Sequence, residues 1–388
     1  MKRLLALALV VSALVGACSS PILANPPAAR PVPSPAPTPA PRPADPVPVV
    51  LPADDAPHDR LTEWWYYTGH LEDETGGSWG FEYVIFRAER GGFPVTFASH
   101  LALTDEDGGR FHYAQRAEIG PQVDVRAPGA SAEPGFRFAI RGLDIEDPAT
   151  FTRAPWTMDG VGGTDVLNAV VAAGEVDGDA VDGFGLSLRL TSSKPAALHD
   201  RDGWIDFGPA GGSYYYSRTS MPAAGSIAVG DRTLAVSGTA WFDHQWGDFI
   251  SVGGGGWDWF ALNLDDGREI TLSLVRAEDG TYPLVYGSLV ERDGTVRHLG
   301  AADFTVTPTG DWTSPTTGAA YPAGWDIAIP GEALELTLTP TVAQQELDTR
   351  ATTGVVYWEG SQWVRGTSAG KPITGKGYVE LTGYAPEP

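Results

Sequence analysis

From residue 59 onward, apolar and polar residues trade places every second position, the period of a β-strand with one face turned to a core. EWWYYTGHLEDETGGSWGFEYVIFRAE predicts two strands joined by a turn at Gly76-Gly77. PVTFASHLALTDEDGGRFHYAQRAEI predicts two more, turning at Asp107-Gly108-Gly109. The alternation puts Phe81, Tyr83 and Ile85 on one face and, later, Leu272 and Leu274 on another, each an apolar row aimed at a solid core or a pocket lining. FRFAIRGLDI, FGLSLRLTSS, SYYYSRTSM and TLAVSGTAWFDH continue the pattern. TDVLNAVVAAG (164–174) has some helical character and reads equally as a buried strand.

The second half repeats the first. WYYTGHLED (65–73) aligns with WFALNLDD (259–266) across one gap, and VIFRAE (84–89) with SLVRAE (273–278). HLALTDEDGGRFHY (100–113) aligns with YGSLVERDGTVRHL (286–299), and GTAWFD (238–243) with GKGYVE (375–380). Tyr216 and Trp358 hold comparable places upstream of that last pair. Order and spacing are kept throughout, which predicts a tandem duplication of one β-domain, spanning about 58–250 and 255–388. Some eight antiparallel strands per copy, with hairpin turns and almost no helix, fit a sandwich or a closed barrel.

Between the copies lies GTAWFDHQWGDFISVGGGGWDWFALNL (238–264). It sets Trp241, Trp246, Trp257 and Trp259 beside Asp243, His244, Asp248 and Asp258, with Gly253–Gly256 as a joint. A carboxylic acid among indoles keeps its proton, because burial disfavours the charged form, and can then serve as a general acid. Indole faces stabilise a cation. Together they suit protonation of an alkene and capture of the cation by water. Asp258, between Trp257 and Trp259, is the leading candidate acid. Glu63, ahead of Trp64-Trp65-Tyr66-Tyr67, reads more simply as an outward carboxylate, and His70 and His100 as plain strand residues.

Composition narrows the function. A net charge of −23 with no basic stripe excludes nucleic-acid binding and anionic lipid recognition. Hydrophobic residues make up 42%, enough for a sizeable core. The one cysteine excludes an intrachain disulfide. It follows Lys2-Arg3, an apolar run from Leu4 to Val15, and Gly16-Ala17, the form of a bacterial lipoprotein signal in which Cys18 becomes the lipidated first residue. Residues 19–57, rich in Pro and Ala, read as an extended tether. These features predict an exported protein anchored to the cell envelope through Cys18.

Other motifs lead nowhere. Gly366-Thr367-Ser368-Ala369-Gly370 has the spacing of a nucleophile elbow, but no histidine follows it, so it is a turn. The glycine run has neither the helix nor the lysine of a phosphate loop. The seven histidines are scattered without metal-binding spacing, so no local metal cage is expected, though distant segments could still assemble one. Asp243 and His244, being adjacent on a strand, face opposite sides.

TEWWYYTGHL, GTAWFDHQWGD, WDWFALNLDDG and YWEGSQWV…GKGYVELTGY together resemble the hydroxyneurosporene synthase family, which includes carotenoid 1,2-hydratases and an AttH-like bacterial secreted branch. The resemblance covers about residues 58–388. It implies an all-β chain of two tandem lipocalin-like antiparallel β-barrel domains packed against each other, with a ligand cavity near or between them. It also implies hydration of an isoprenoid double bond without a cofactor. In that reading Asp258 is the acid and His244 orients it or the water. Trp246, Trp257 and Trp259 then stabilise charge, with Trp65 and Tyr67 lining the ligand site. The expected partner is a hydrophobic small molecule, either transformed or simply carried. The third reading, a secreted hydrolase, finds no motif here.

Overall fold

The computed structural model describes residues 44–126, 133–142, 153–175, 182–249 and 254–385. The chain divides into two compact units, Met1–Val47 and Pro48–Pro388. In the first, the described residues 44–47 are exposed, while Cys18 and most of the tether lie outside the described residues. The fold belongs to the second unit. There, chain assigned by sequence to the tether already packs on the core: Val49 and Leu51 lie against it, and Asp55 is fully buried.

The first sheet holds β1 (Thr62–Asp73), β2 (Ser78–Ala88), β3 (Thr96–Asp105), β4 (Arg110–Ile119), β5 (Phe136–Ile140), β6 (Trp156–Val161), β7 (Thr164–Val171), β8 (Phe184–Thr191), the short β9 (Ala197–Leu198) and β10 (Trp204–Asp206), β11 (Gly212–Val229) and β12 (Arg232–Gly247). Its order is β4-β3-β2-β1-β12-β11-β8-β7-β6-β5, all antiparallel, with β9 and β10 paired to β11. The edges nearly meet. Asp124, just past β4, bridges to Phe138 of β5, and the Val125 amide donates to the Arg137 carbonyl at 2.9 Å. The result is a nearly closed barrel. The stretch 164–174 is strand β7 followed by a short 3-10 turn.

The second sheet holds β13 (Gly254–Leu264), β14 (Glu269–Ala277), β15 (Leu284–Val290), β16 (Val296–Gly300), β17 (Thr305–Pro308), then β20 (Trp325–Ile329), β21 (Leu334–Pro340), β22 (Glu346–Asp348), β23 (Val356–Ser368) and β24 (Lys371–Thr382); β18 (Asp311–Thr313) and β19 (Ala320–Pro322) form a separate ribbon. Its order, β16-β15-β14-β13-β24-β23-β21-β20-β17, repeats the first sheet's from its meander edge inward and curls into a half-barrel. The fold is therefore all-β, with two lipocalin-like sheets side by side. Gly254–Gly256 are part of β13, with a bulge between Gly254 and Trp257, while Gly253 lies outside the described residues. GTSAG ends β23 and turns into β24, as expected.

The register corrects the alignment at the junction of the two sheets. Leu71 pairs with Gly238, and Leu264 with Gly375. Val84 and Ser273, aligned by sequence, pair with Tyr66 and Trp259. Trp259 is thus the counterpart of Tyr66, with no gap needed, and Trp65 corresponds to Asp258. A slip of one residue moves a side chain to the opposite face of the sheet. Trp65, Tyr67, Phe81, Tyr83 and Ile85 point into the first barrel, where they form solid core. Tyr66, Val84 and Trp241 point out, against Trp259, Ala261 and Tyr378 of the second sheet. Both faces of β1 are covered, which is why its sequence is so aromatic.

Candidate functional site

The residues singled out by sequence fall in three places. Phe242, His244 and Trp246 share the inner face of β12. Asp258 shares the inner face of β13 with Phe260 and Leu262, in the core of the other sheet. Trp259 lies in the seam between the sheets, its indole donating to the Tyr215 hydroxyl at 3.0 Å. Trp257 is 38% exposed at the rim. Asp258 and His244 therefore belong to the interiors of different sheets. Asp258 accepts from Arg276 at 3.1 Å and Tyr384 at 2.9 Å; burial raises its pKa, opposed by Arg276. Gly256 carries φ +89°, and a Cβ there would sit 2.3 Å from the Thr382 carbonyl oxygen, so glycine is required.

His244 has other company. Its Nε2 lies 2.9 Å from Glu63 Oε1, and the Nδ1 of His58 lies 2.7 Å from the same oxygen. Glu63 and His244 are wholly buried, and the His58 side chain is 20% exposed, the one opening to solvent among the three. The local sequence explains the convergence. Glu63 is two residues before Trp65 on β1, so it shares the inward face, and Trp65 pairs with His244 across to β12. His58 is delivered by the segment that crosses the barrel end; its amide donates to Glu63 Oε2 at 2.9 Å. The expectation of an outward Glu63 is thus overturned by strand parity. His70 and His100 instead hold the seam: His70 bonds Glu106 and the Gly377 carbonyl, and His100 the Tyr357 hydroxyl.

Aromatic rings enclose the three groups. The His58 ring stacks on Trp246 at 4.1 Å with a 1° interplanar angle, and Trp65 stacks on His244 at 4.6 Å. Behind His244, the Tyr216 hydroxyl lies 3.3 Å from Nδ1 and donates to Asp55, which also takes Arg218 at 2.7 Å. The Tyr67 hydroxyl, deeper in, donates to Asp165 at 2.9 Å. Burial alone would raise the Glu63 pKa, but His58 and His244 hold it below the usual value. Burial would lower His58, yet Glu63 and Asp54 raise it; burial lowers His244 despite Glu63. These surroundings favour the ionised form of Glu63 and the charged form of His58, and disfavour the charged form of His244. The donor atoms of the three lie within 4.8 Å of one another, so His58, Glu63 and His244 also form a candidate metal-ligand set drawn from distant segments.

Sequence reasoning missed His58 and left Glu63 aside. The usable signal was the shared parity of Glu63, Trp65 and Tyr67; nothing in the sequence announced that the segment before β1 folds back over the barrel.

A groove of about 740 Å³ also opens between the sheets, at the far ends of β1 and β12. It is lined by His70, Glu72, Asp265, Glu269 and Lys376 among others, and neither His244 nor Asp258 reaches it. Its walls mix polar and apolar surface, with Asp73 and Glu74 adding to the acids, and no indole lines it, unlike the space expected at the junction.

The solved structures agree with this architecture. A Nitrosomonas europaea protein described as an AttH is 29% identical, with a TM-score of 0.70 over 87% of this chain and 98% of its own. Kievitone hydratase from Nectria haematococca is 16% identical, with a TM-score of 0.63 over 86% and 93%. CghA, solved with Sch210972, is 14% identical, with a TM-score of 0.51 over 84% and 89%. The last two similarities are of fold. No curated protein matches the chain. The AttH-like family profile matches residues 42–384, nearly the whole chain, and the protein belongs to the AttH-like family.

Proposed function

We propose that this protein takes a long apolar, isoprenoid- or lipid-like molecule at the end of the first barrel and adds water to it by acid–base chemistry at His58, Glu63 and His244. The observation that carries this reading is the pair of imidazoles on one buried carboxylate oxygen, flanked by Trp65 and Trp246. The roles follow from position. His58, nearest solvent, gives its proton to one alkene carbon. The cation formed on the other carbon lies at the open end near the Asp54 and Glu63 carboxylates, while the Trp246 face carries the His58 ring. Water attacks that carbon, and its proton passes to the now neutral His58, which Glu63 and the buried His244 hold in orientation. Because core side chains fill the barrel, the ligand meets the site from its open end, over His58 and Asp54. The similarity in fold to a hydratase, and the resemblance of GTAWFDHQWGD to the carotenoid hydratases, support the reaction class.

A second reading keeps Asp258 as the acid, since burial raises its pKa in an aromatic setting. Glu63→Gln and Asp258→Asn, assayed side by side on isoprenoid alkenes, separate the two. Export and anchoring through Cys18 remain part of the proposal; mass spectrometry of the membrane-associated protein for a diacylated Cys18 tests them. A pure carrier would release the same apolar ligand unchanged, whereas the reading here expects hydrated product.

A further inference from the structure

The geometry points to the His58–Glu63–His244 set as a binding site for a divalent transition metal of the zinc class. It deepens the reading above, resting on the same three residues but not on their turnover. Two imidazoles and one carboxylate are a donor set that suits zinc, and three protein ligands leave one position for water. In tetrahedral geometry, ligand atoms about 2.0–2.1 Å from the ion stand about 3.3 Å apart. The two N···O separations are 2.7 and 2.9 Å, so each opens by about half an ångström to admit an ion where hydrogen atoms now lie.

The surroundings are those of an oriented site. Tyr216, fixed by Asp55 and Arg218, backs the far nitrogen of His244. Asp54 stands 3.6 Å from the far nitrogen of His58. Such outer partners fix ring orientation in metal sites and raise ligand basicity. The His58 amide donates to Glu63 Oε2 at 2.9 Å and over a longer 3.2 Å to Oε1, the oxygen that faces both rings. Arg87 comes no nearer than 3.8 Å to Glu63, and on the Oε2 side, so no cation fills the ligand position. Glu63 and Asp54 together carry two negative charges, matching a dication. Access is through His58, the partly exposed member.

Binding replaces proton with metal: the ion takes the position on Glu63 Oε1, the Nδ1 proton of a charged His58 leaves to solvent, and the Nε2 proton of His244 shifts to its Nδ1, which faces the Tyr216 hydroxyl. Metal and proton therefore compete, and the loaded form lacks the proton that hydration uses. The position left open is filled by water with a lowered pKa.

The test uses the full chain, stripped with chelator and titrated with cobalt(II) and zinc(II). The expected result is one ion per chain, the intense visible bands of four-coordinate cobalt, and displacement by zinc. His58→Gln, at the partly exposed position, lowers affinity at least tenfold with an unchanged circular-dichroism spectrum. His298→Gln, outside the site, leaves it unchanged. Absence of stoichiometric binding by the parent protein, or equal binding by His58→Gln, overturns the inference. Hydration is assayed separately on stripped protein. Turnover without ion binding removes the metal and leaves the hydratase reading standing; ion binding without turnover does the reverse.

Discussion

The two sheets share a topology but not a chemistry, and their equivalent ends show where they part. In the first sheet, Glu63 and Trp65 on β1 face His244 on β12. The same positions in the second are Gly256, Asp258 and Leu381. One copy has an ionisable pair closed by a segment that carries His58. The other has a bulge, an acid committed to Arg276 and Tyr384, and a leucine. The two sheets are scaffolds of matching strand order. Only one set parity, pairing and a folded-back segment to converge on a single point.

The comparison breaks most sharply at Glu63. Glu63→Gln removes the charge that orders both imidazoles, and hydration is expected to fall at least ~100-fold. It also weakens a buried charged network, with stability lower by about 3 kcal/mol, read by denaturant titration. Asp258→Asn is expected to change turnover less than about threefold and to act on stability instead. Trp246→Leu removes the ring on which the His58 imidazolium stacks; a loss near 2 kcal/mol of that cation–π stabilisation corresponds to a fall of about 30-fold. Converting the second copy toward the first is expected to fail at its first step. Gly256→Ala meets both the positive φ and the Thr382 carbonyl, and is expected to cost about 1–3 kcal/mol.

A smaller effect tests the seam between the copies. There burial pushes Glu82 up to about 8 and Glu380 up to about 7, from an ordinary 4.5. Folded, these acids hold protons that the unfolded chain has released. Their contribution is therefore complete below about pH 4.5 and lost as pH rises to about 7–8. The melting temperature is expected to fall by about 5 °C between pH 5 and 8, and less in Glu82→Gln.

Much of this was legible in the sequence. Period-two alternation located the strands, and the aligned stretches at 84–105 and 273–291 fell into register as read, whereas past the turn pairing matches Tyr113 to His298 and not to Leu299. The seam between the copies was misplaced by one residue, since WYY and WFA match as well by letters as YYT and WFA do by pairing. That slip made Trp259 look like Trp65, while Asp258 drew attention by its place between Trp257 and Trp259. Its true equivalent, Trp65, stood beside the overlooked carboxylate. Proline content, read as freedom from the core, concealed the segment that brings Asp55 and His58 across the barrel end. Composition describes what a segment tends to do alone; here burial of Asp55 against Tyr216, Arg218 and the Gly162 amide decides it.

The most direct measurement is product formation from an isoprenoid alkene in water labelled with oxygen-18, by the parent protein, Glu63→Gln and Asp258→Asn in parallel. The account predicts labelled alcohol from the parent and from Asp258→Asn at similar rates, and next to none from Glu63→Gln. Full incorporation by Glu63→Gln, with loss in Asp258→Asn, would contradict it.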